Sequence, residues 1–320
     1  MPAVASPSVP WLSVIVPSHN GERWLATMLG SLAVQNDPGI EVILMDSSDS
    51  DASLAIAEGF VGDLRLTVHR RPDVKSWQAK TNLGAAGAAA DWLCMLHQDD
   101  MWHPGRAAAV RGWLDRAGDV VLHLHAAALI DAPGNRRGIW RCPLPAEQPM
   151  AEQEILARLL VQNFICIATP VIRRDTFLGV GGLDETLWYT ADWDLYLKLI
   201  GRGHTLYHSE PLAAFRIHEQ SLTMTGSRSL EAFREQMNIV VERHLPRLVQ
   251  GRERVHRISR ASVAVNLALA AAMAGHPRLL LSAAAGLFAL GPRGWLTYFE
   301  NARLLERTYP RLRAHLAGTL

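Results

Sequence analysis

Short apolar runs alternate with amphipathic stretches over the first 130 residues of the chain. Five runs have the length and the β-branched content of strands, and the stretches between them repeat apolar residues at helical spacing. This alternation predicts βαβ units and a mainly parallel sheet flanked by helices. The predicted strands are residues 11–17, 41–46, 64–68, 92–96 and 119–125.

The later part of the chain loses this alternation. We predict a turn at residues 131–138 and a helix at residues 192–200, which Gly201 and Gly203 bring to an end. Beyond a boundary near residue 225 the pattern predicts helices only. The sequence therefore predicts an α/β region followed by a helical extension.

Composition indicates an ordinary globular protein that can bury a large core. The 320 residues are 49% hydrophobic and 20% charged. The first ten residues lack the basic and apolar regions of a secretory signal, and we expect them to be a disordered tail. Three widely spaced cysteines, Cys94, Cys142 and Cys166, form no C-x-x-C pair. They favour buried free thiols in the reducing cytoplasm over a disulfide or a metal site.

Charge is distributed unevenly. Residues 242–320 hold 12 Arg, no Lys and 4 Glu or Asp, whereas residues 1–241 hold 20 basic and 27 acidic side chains. The basic end lacks interleaved aromatic residues and any known nucleic-acid module, which argues against nucleic-acid binding. It predicts instead peripheral contact with anionic lipid at the inner face of the membrane.

Two apolar stretches in this basic end are residues 261–275 and 279–291. Both are short and rich in Ala, so a soluble antiparallel helix pair, resembling the hairpin of a helical-repeat unit, is favoured over insertion into a bilayer.

Polar clusters follow three of the predicted strands, at residues 17–20, 46–51 and 97–100. Strand ends meet at one edge of such a sheet, so the clusters should face one cleft; each alone could also be a helix cap. Carboxylates of this kind suit Mg²⁺ or Mn²⁺ held partly by substrate phosphates. The sequence contains no P-loop, and no glycine fingerprint follows the first strand, which argues against P-loop and nicotinamide enzymes.

Six segments in order resemble the family 2 glycosyltransferases of the GT-A fold, which transfer a sugar from a nucleotide-diphosphate donor with inversion. The resemblance implies a GT-A type catalytic domain at residues 11–225 and a helical, Arg-rich extension at residues 226–320. The segments are "LSVIVPSHNGERWLATMLGSLAVQ", "EVILMDSSDSDAS", "AKTNLGAAGAAADWLCMLHQDDMWHP", "GGLDE", "YTADWDLYLKLIGRG" and "FRIHEQSLT".

The resemblance also implies roles for individual residues. Asp99 matches the last acid of the family's D-x-D signature and would hold a divalent cation, Mg²⁺ or Mn²⁺. His97 stands where the family has the first acid, and His218 would meet the diphosphate or the metal. The residues implied in donor binding are Pro17, His19, Asn20, Asp46, Asn82, Asp100 and Arg216.

An inverting transfer needs a base near the acceptor hydroxyl. Asp192 matches the family's base at a helix start, where the helix dipole favours the ionised carboxylate; a plain helix cap is the alternative. Asp194 points elsewhere on the helix, toward solvent or the edge of the core. Asp184 and Glu185 are the next candidates for the base. Trp188 would either stack on a sugar or pack in the core, and the same holds for Tyr189.

These features predict a cytoplasmic, metal-assisted inverting glycosyltransferase that acts on a glycan or lipid-linked acceptor in cell-surface glycan synthesis. The alternative from another class is a catalytically weak protein that binds sugar nucleotides or glycans, suggested by His97 in place of an acid. A nucleotidyltransferase is a more distant alternative, distinguished by release of pyrophosphate.

Overall fold

The structure is a computed structural model and describes residues 9–116, 118–221 and 229–319. Its strands are β1 (Leu12–Ser18), β2 (Ile40–Asp46), β3 (Arg65–Arg70), β4 (Trp92–Met95), β5 (Met101–Trp102), β6 (Val120–Ile130), β7 (Arg136–Trp140), β8 (Val171–Arg173) and β9 (His204–Arg216). They form one sheet in the order β3-β2-β1-β4-β8-β6-β9-β5, with β7 paired to β6.

Helices flank this sheet and make up the end of the chain. They are α1 (Leu25–Ala33), α2 (Ala52–Glu58), α3 (Trp77–Gly87), α4 (Arg106–Leu114), α5 (Glu152–Val161), α6 (Arg174–Gly179), α7 (Ala191–Leu199), α8 (Leu230–His244), α9 (Arg252–Met273), α10 (Leu279–Phe288), α11 (Gly291–Ala302) and α12 (Leu304–Leu316). A short 3₁₀ turn, Leu245–Arg247, links α8 to α9.

The five strands predicted from the sequence are confirmed, and the sheet is mixed, with its longer strand pairs parallel. Pairs among β1 to β4 are parallel, as is the pair β6–β9. The short strand β8 enters between β4 and β6 and runs opposite to both. The two parallel parts are therefore joined through antiparallel pairs.

Strand β9 was not predicted from the sequence. Its register against β6 shifts between His125 and Ala126, where Ala126 pairs with Pro211. Proline removes a backbone donor and is tolerated at a bulge of this kind. The bulge interrupts the alternation of apolar residues that would have indicated a strand.

The alternating side chains of β1 explain why helices cover both faces. Val14 and Val16 pack on the side of α1 with Leu29. Ile15 points to the other face, where it joins Ala85 of α3. All five are buried, so this strand is apolar on both sides, as expected for a central parallel strand.

The helical extension packs directly on the α/β region. Helix α9 lies against α5 and α8, and α12 lies against β7. Pro310 of α12 approaches Gly138 so closely that a Cβ atom there would lie 2.5 Å from its Cγ. Glycine at position 138 thus allows α12 to pack against the sheet.

Other expectations for this part of the chain have mixed outcomes. The two apolar stretches form α9 and α10, which pack against each other as predicted. The three cysteines are buried and free, also as predicted. The expected tail over residues 1–10 and the domain boundary near residue 225 fall mainly outside the described residues.

In the described ranges, no single helix is long and apolar enough to cross a bilayer. One pair of helices, α10 with α11, meets that test jointly, but the pair is bent by 118°.

Candidate active site

The ends of β1 and β2 lie side by side, because Ser18 pairs with Asp46 in the parallel register. The loops that follow are held together by hydrogen bonds. Asn20 Nδ2 donates to Asp49 Oδ2 at 2.9 Å, and the Asp49 amide returns a bond to Asn20 Oδ1 at 3.0 Å. His19 Nδ1 lies 2.9 Å from the carbonyl oxygen of Ser47. The strand ends thus converge as predicted, with His19 and Asn20 exposed to the cleft.

A buried lysine supports these loops from below. Lys80 Nζ donates to the Ser18 carbonyl at 2.6 Å and to Ser47 Oγ at 2.9 Å. Burial lowers the pKa of Lys80 to about 8, and the charge of Asp46 opposes this shift. Sequence analysis missed this residue. The sequence gives one signal for its role. Lys80 lies on α3 one turn after Trp77, on the helix face that packs against the sheet.

Asp46 and Pro17 lie beneath the cleft and not on its surface. Asp46 is fully buried, and its two carboxylate oxygens accept bonds from the Ser48 amide (3.1 Å) and Ser48 Oγ (2.7 Å). Pro17 is buried inside β1. The Asp46 carboxylate is occupied in shaping the loop after β2, and its expected contact with the donor stays a prediction.

The loop after β4 carries Asp99, which meets the segment after β9. His218 Nε2 lies 2.7 Å from Asp99 Oδ2, and the His218 ring packs 4.2 Å from the ring of Trp24. Burial raises the pKa of Asp99, but the His218 hydrogen bond and the electrostatic interactions with His97 and His218 together outweigh burial and hold the pKa below its usual value. His97 lies edge-on to Trp77, and burial lowers its pKa and favours the neutral ring.

Asp100 and Arg216 form part of the framework. Asp100 Oδ1 accepts a bond from the Arg216 amide at 3.0 Å, and burial raises the pKa of Asp100 well above its usual value. The Arg216 guanidinium donates to the carbonyls of Asp99 (2.8 Å), Asp131 (3.2 Å) and Ala132 (2.8 Å). Both side chains are at most 3% exposed. The hydrogen bonds of these two residues point into the protein, and their expected donor contacts stay predictions.

Asn82 holds a loop through hydrogen bonds. Its amide donates to the Leu183 carbonyl at 2.9 Å and to Glu185 Oε1 at 3.0 Å, and its Oδ1 accepts from the Leu183 amide at 2.9 Å. Gly182 has φ +62°, and a Cβ atom there would lie 2.5 Å from Asn82 Oδ1. The expected role of Asn82 in shaping the nucleotide pocket stays a prediction. Glycine at position 182 is needed for both its conformation and the space beside Asn82.

Asp192 lies in the first turn of α7, after Thr190 at the N-cap. Asn163 Nδ2 donates to Asp192 Oδ2 at 3.1 Å, and the Trp193 amide donates to Asp192 Oδ1 at 2.8 Å. Burial raises the pKa of Asp192 to about 6. The helix start was expected to favour the ionised form, but burial has the larger effect. The pKa remains within the range useful to a base near neutral pH.

Asp194 is buried and paired, so of the two expected places, solvent or the edge of the core, the structure excludes solvent. Its carboxylate lies 2.8 Å from His244 Nε2, 2.9 Å from Arg243 Nη1 and 3.1 Å from Lys198 Nζ. These partners outweigh the opposite effect of burial and lower the pKa of Asp194 far below its usual value. Asp194 therefore fastens α7 to α8.

The other two candidates for the base are also occupied. Asp184 accepts a bond from Arg243 at 2.8 Å, and Glu185 accepts the bond from Asn82. Tyr189 packs edge-on against Phe233 with ring centres 4.8 Å apart.

A cavity of about 190 Å³ brings the central residues together. Asp99, His97 and Asp192 all line it, although they come from different elements. Its other walls include side chains that sequence analysis did not single out: Trp77, Trp140, Gln162, Asn163, Asn266, Arg307 and Arg311.

A divalent cation would find a partial set of ligands here. Within the described ranges, no group of three or more His, Cys, Asp or Glu side chains is arranged to hold a metal ion. Asp99 offers a carboxylate, and the buried Nε2 of His97 has no hydrogen-bond partner in the same ranges. These groups fit a cation that takes most of its oxygen ligands from substrate phosphates, as Mg²⁺ often does.

Known proteins share this fold. The chain aligns with S. aureus TarS 1-349 in complex with UDP-GlcNAc at a TM-score of 0.61 and 17% identity, covering 94% of this chain and 92% of that one. It aligns with the mannosyltransferase PcManGT from Pyrobaculum calidifontis, in complex with GDP-Man and Mn2+, at a TM-score of 0.55 and 15% identity, covering 98% and 89%. It spans 43% of a longer TarS chain. The fold is thus of GT-A type with a helical C-terminal extension.

Sequence relatives point the same way. An uncharacterized glycosyltransferase of Haemophilus influenzae is 28% identical over 65% of this chain and 68% of its own length. A PGL/p-HBAD biosynthesis glycosyltransferase of Mycobacterium bovis is 28% identical over 60% of this chain and 70% of its own. The model of glycosyl transferase family 2 matches residues 13–178, about half of the chain. The protein is a glycosyltransferase and belongs to glycosyl transferase family 2.

Proposed function

We propose that this enzyme transfers a sugar from a nucleotide-diphosphate donor to an acceptor hydroxyl with inversion at the anomeric carbon. The observation that carries the proposal is that Asp99 and Asp192 line one cavity from separate elements. One carboxylate lies at the strand ends, and the other lies across the cavity with a raised pKa. Two carboxylates in different surroundings can take different roles, here Asp99 at the donor site and Asp192 as the base.

The donor is proposed to bind over the ends of β1, β2 and β4. His19 and Asn20 are exposed there, and the loops that carry them are tied together by hydrogen bonds. Structural neighbours in complex with UDP-GlcNAc, UDP and GDP-Man support a nucleotide-sugar donor. The exposed loops would contact the nucleotide.

Asp99 is proposed to hold a divalent cation, Mg²⁺ or Mn²⁺, with help from His97 and His218. When bound, the cation would offset the negative charge that develops on the departing diphosphate. Its protein ligands are few, so the donor phosphates would complete its coordination. Rotation of the His218 ring away from Asp99 Oδ2 would free a carboxylate oxygen for this contact.

Asp192 is proposed to be the general base. Asn163 and the Trp193 amide fix the orientation of its carboxylate, and its position on the cavity wall lets an acceptor hydroxyl approach. The ionised carboxylate would take the proton of that hydroxyl as the oxygen attacks the anomeric carbon. Asp184 and Glu185 are engaged elsewhere, which supports the choice of Asp192.

The acceptor is proposed to be a glycan or lipid-linked molecule reached at an anionic membrane surface. Several large apolar side chains of the extension face outward, among them Leu281 (80% exposed), Phe288 (71%) and Leu305 (78%). Arg313 lies on the same helix as Leu305. Arg278 directly precedes the helix that carries Leu281 and Phe288. Exposed apolar groups beside basic ones are typical of surfaces that bind anionic lipid.

Nucleotide sugars of several bases and sugars should be tested with the purified protein. We expect one of them to yield free nucleoside diphosphate, and NMR of the transfer product should show the inverted anomer. A retained anomer would contradict the mechanism, and release of pyrophosphate would indicate a nucleotidyltransferase. Tight binding without transfer or hydrolysis would support a protein that only binds sugar nucleotides. Thermal shifts with nucleoside diphosphates, with and without Mn²⁺, would identify the base.

A further inference from the structure

One wall of the cavity beside Asp192 comes from the helical extension. Arg307 and Arg311 of α12 line the cavity, as does Asn266 of α9. The segment that matches the family model ends at residue 178, long before these helices begin. The extension therefore supplies charged groups to the cavity in which the transfer is proposed to occur.

The two arginines of α12 that line the cavity bind neutral groups. Arg307 Nη2 donates to Asn266 Oδ1 at 3.2 Å, and its Nη1 donates to the Ala302 carbonyl at 3.5 Å. Arg311 donates to the Arg307 carbonyl, and its guanidinium lies 5.8 Å from the ring centre of Trp140. In the part of the chain that the structure describes, neither guanidinium forms an ion pair with Asp or Glu.

Several other arginines of the extension do have acidic partners. Arg243 contacts Asp194 at 2.9 Å, Arg247 contacts Glu152 at 3.5 Å, and Arg303 contacts Glu306 at 3.5 Å. Arg307 and Arg311 differ from these three because they line the cavity and their hydrogen bonds go to neutral groups.

Their surroundings favour an anion. Both side chains are largely withdrawn from water, and burial lowers the pKa of both, that of Arg311 to about 10. The charge of Arg307 lowers the pKa of Arg311 further, because like charges repel. A bound anion would offset both effects. The guanidinium group is well matched to phosphate and carboxylate oxygens, which it binds in pairs.

Hydrogen bonds connect the arginines to Asp192 and not to the strand ends. Arg307 binds Asn266, whose amide donates to Gln162 Oε1 at 2.8 Å. The next residue, Asn163, donates to Asp192. The arginines thus lie on the side of the cavity where we place the acceptor.

We propose that Arg307 and Arg311 bind an anionic group of the acceptor, a phosphate or a carboxylate carried near the hydroxyl that Asp192 deprotonates. This inference rests on the proposed function, because it takes the Asp192 side of the cavity as the acceptor side. It assigns a role in acceptor choice to helices that lie beyond the family-matched segment.

The test uses three small probes, glycerol 3-phosphate, glycerate and glycerol, which carry a phosphate, a carboxylate and no charge. Their binding to the full chain is measured by calorimetry in the presence of saturating nucleoside diphosphate and Mn²⁺. The variants are Arg307→Gln, Arg311→Gln and the charge-preserving Arg307→Lys. Arg313→Gln is the matched control, since Arg313 is an exposed arginine on the same helix.

We expect one anionic probe to bind the wild type at least about tenfold more tightly than glycerol, since each contact is a charge-assisted hydrogen bond. Preference for glycerol 3-phosphate or glycerate identifies the group. Each Gln variant should lose about tenfold in this affinity, Arg307→Lys should lose less, and Arg313→Gln should be unchanged. Nucleoside-diphosphate affinity should stay within about twofold throughout.

Equal binding of glycerol and both anions, or anion binding unchanged in folded Gln variants, would overturn the inference. A parallel fall in nucleoside-diphosphate affinity would also overturn it, by assigning the arginines to the donor. Failure of the wild type to bind any nucleoside diphosphate, with Arg-dependent anion binding retained, would instead contradict the proposed function and leave an anion site in place.

Discussion

Asp192 and Asp194 lie two residues apart on α7 and face opposite sides. Asp192 lines the cavity, and Asp194 points at α8, where it contacts Arg243 and His244. Residues at this spacing are about 200° apart around a helix. The pKa of Asp192 is raised by burial, whereas that of Asp194 is lowered because its cationic partners outweigh burial. About half a turn of helix thus separates a candidate base from a structural anchor.

Asp192→Asn should reduce transfer by about 10²–10⁴-fold, the usual contribution of general-base catalysis. Asn keeps the shape of the side chain but cannot accept the proton, so donor affinity should change little. Initial rates at saturating substrate test this, and Glu185→Gln is the control that should retain activity. If Asp192→Asn kept more than about a third of the wild-type rate with chemistry limiting, the base would lie elsewhere.

The rate should also depend on pH through Asp192. Because its pKa is about 6, the carboxylate is ionised above that pH and protonated below it. We therefore expect kcat to fall as pH drops through about 6. A pH profile of kcat for the wild type measures this, and the profile of Asp192→Asn should lack that limb.

Ionisation of Asp192, which should raise kcat, should lower the folding stability. Its pKa is higher in the folded chain than the model-compound value of 3.8, so ionisation disfavours the folded state as pH rises from about 4 to 6. One pKa unit corresponds to about 1.4 kcal/mol, so Asp192→Asn should stabilise the protein by up to roughly 3 kcal/mol at pH 8. Urea unfolding should show no comparable gain at pH 4. An equal gain at both pH values would speak against this origin.

Asp194→Ala should destabilise the fold by about 1–3 kcal/mol, because buried His244 and half-buried Lys198 lose their carboxylate partner. Arg243 keeps its contact with Asp184. The lowered pKa means that Asp194 contributes stability above about pH 4 and that this contribution fades as pH falls further. Chemical unfolding at pH 7 measures the loss. Asp175→Ala, in the exposed first turn of α6, is the control and should cost far less.

Much of the donor side was accessible from the sequence, because strand ends and the loops after them are local features. The convergence of His19, Asn20 and Asp99 follows from parallel strands of matched length. The sequence does not show which way a side chain points. Asp46, Asp100 and Arg216 are polar residues beside the cleft, yet each forms hydrogen bonds with groups beneath it. Within the described residues, Asp100 Oδ2 is buried without a partner.

The acceptor side was less accessible, because it depends on contacts between distant parts of the chain. Asn266 and Arg307 reach the cavity only because α9 packs on α5 and α12 packs on β7. No sequence pattern predicts how these helices pack on the α/β region. The packing of α12 depends on the close approach of Pro310 to Gly138, and neither residue stands out in the sequence.

Asp99→Ala should weaken nucleoside-diphosphate binding in the presence of Mn²⁺ by roughly 10–100-fold or more, since even outer-shell partners of a metal contribute that much. Without metal the variant and the wild type should bind alike. Calorimetry with and without Mn²⁺ tests both statements. Asp91→Ala, an exposed acid before β4, is the control. Unchanged affinity of Asp99→Ala with Mn²⁺ would refute the assignment.

Sedimentation with anionic vesicles should recover the protein, at about 1 kcal/mol of binding free energy for each basic residue near the lipid. High salt should weaken this binding. Replacing Leu281 and Phe288 with Ser should reduce it further, whereas Val61→Ser, at a residue 58% exposed in the α/β region, should not. Equal recovery with neutral vesicles at any salt concentration would contradict an electrostatic association.

Because α12 packs against β7, the proposed acceptor-binding arginines and the proposed donor-binding loops lie in different parts of the sequence and can change independently. The nucleotide-facing loops belong to the family-matched segment, whereas Arg307 and Arg311 stand on the last helix of the chain. Substitutions in that helix can alter which molecule enters the cavity without disturbing the strand ends. A purification tag fused after residue 320 adjoins this same helix, so acceptor assays are better run with the tag at the other terminus.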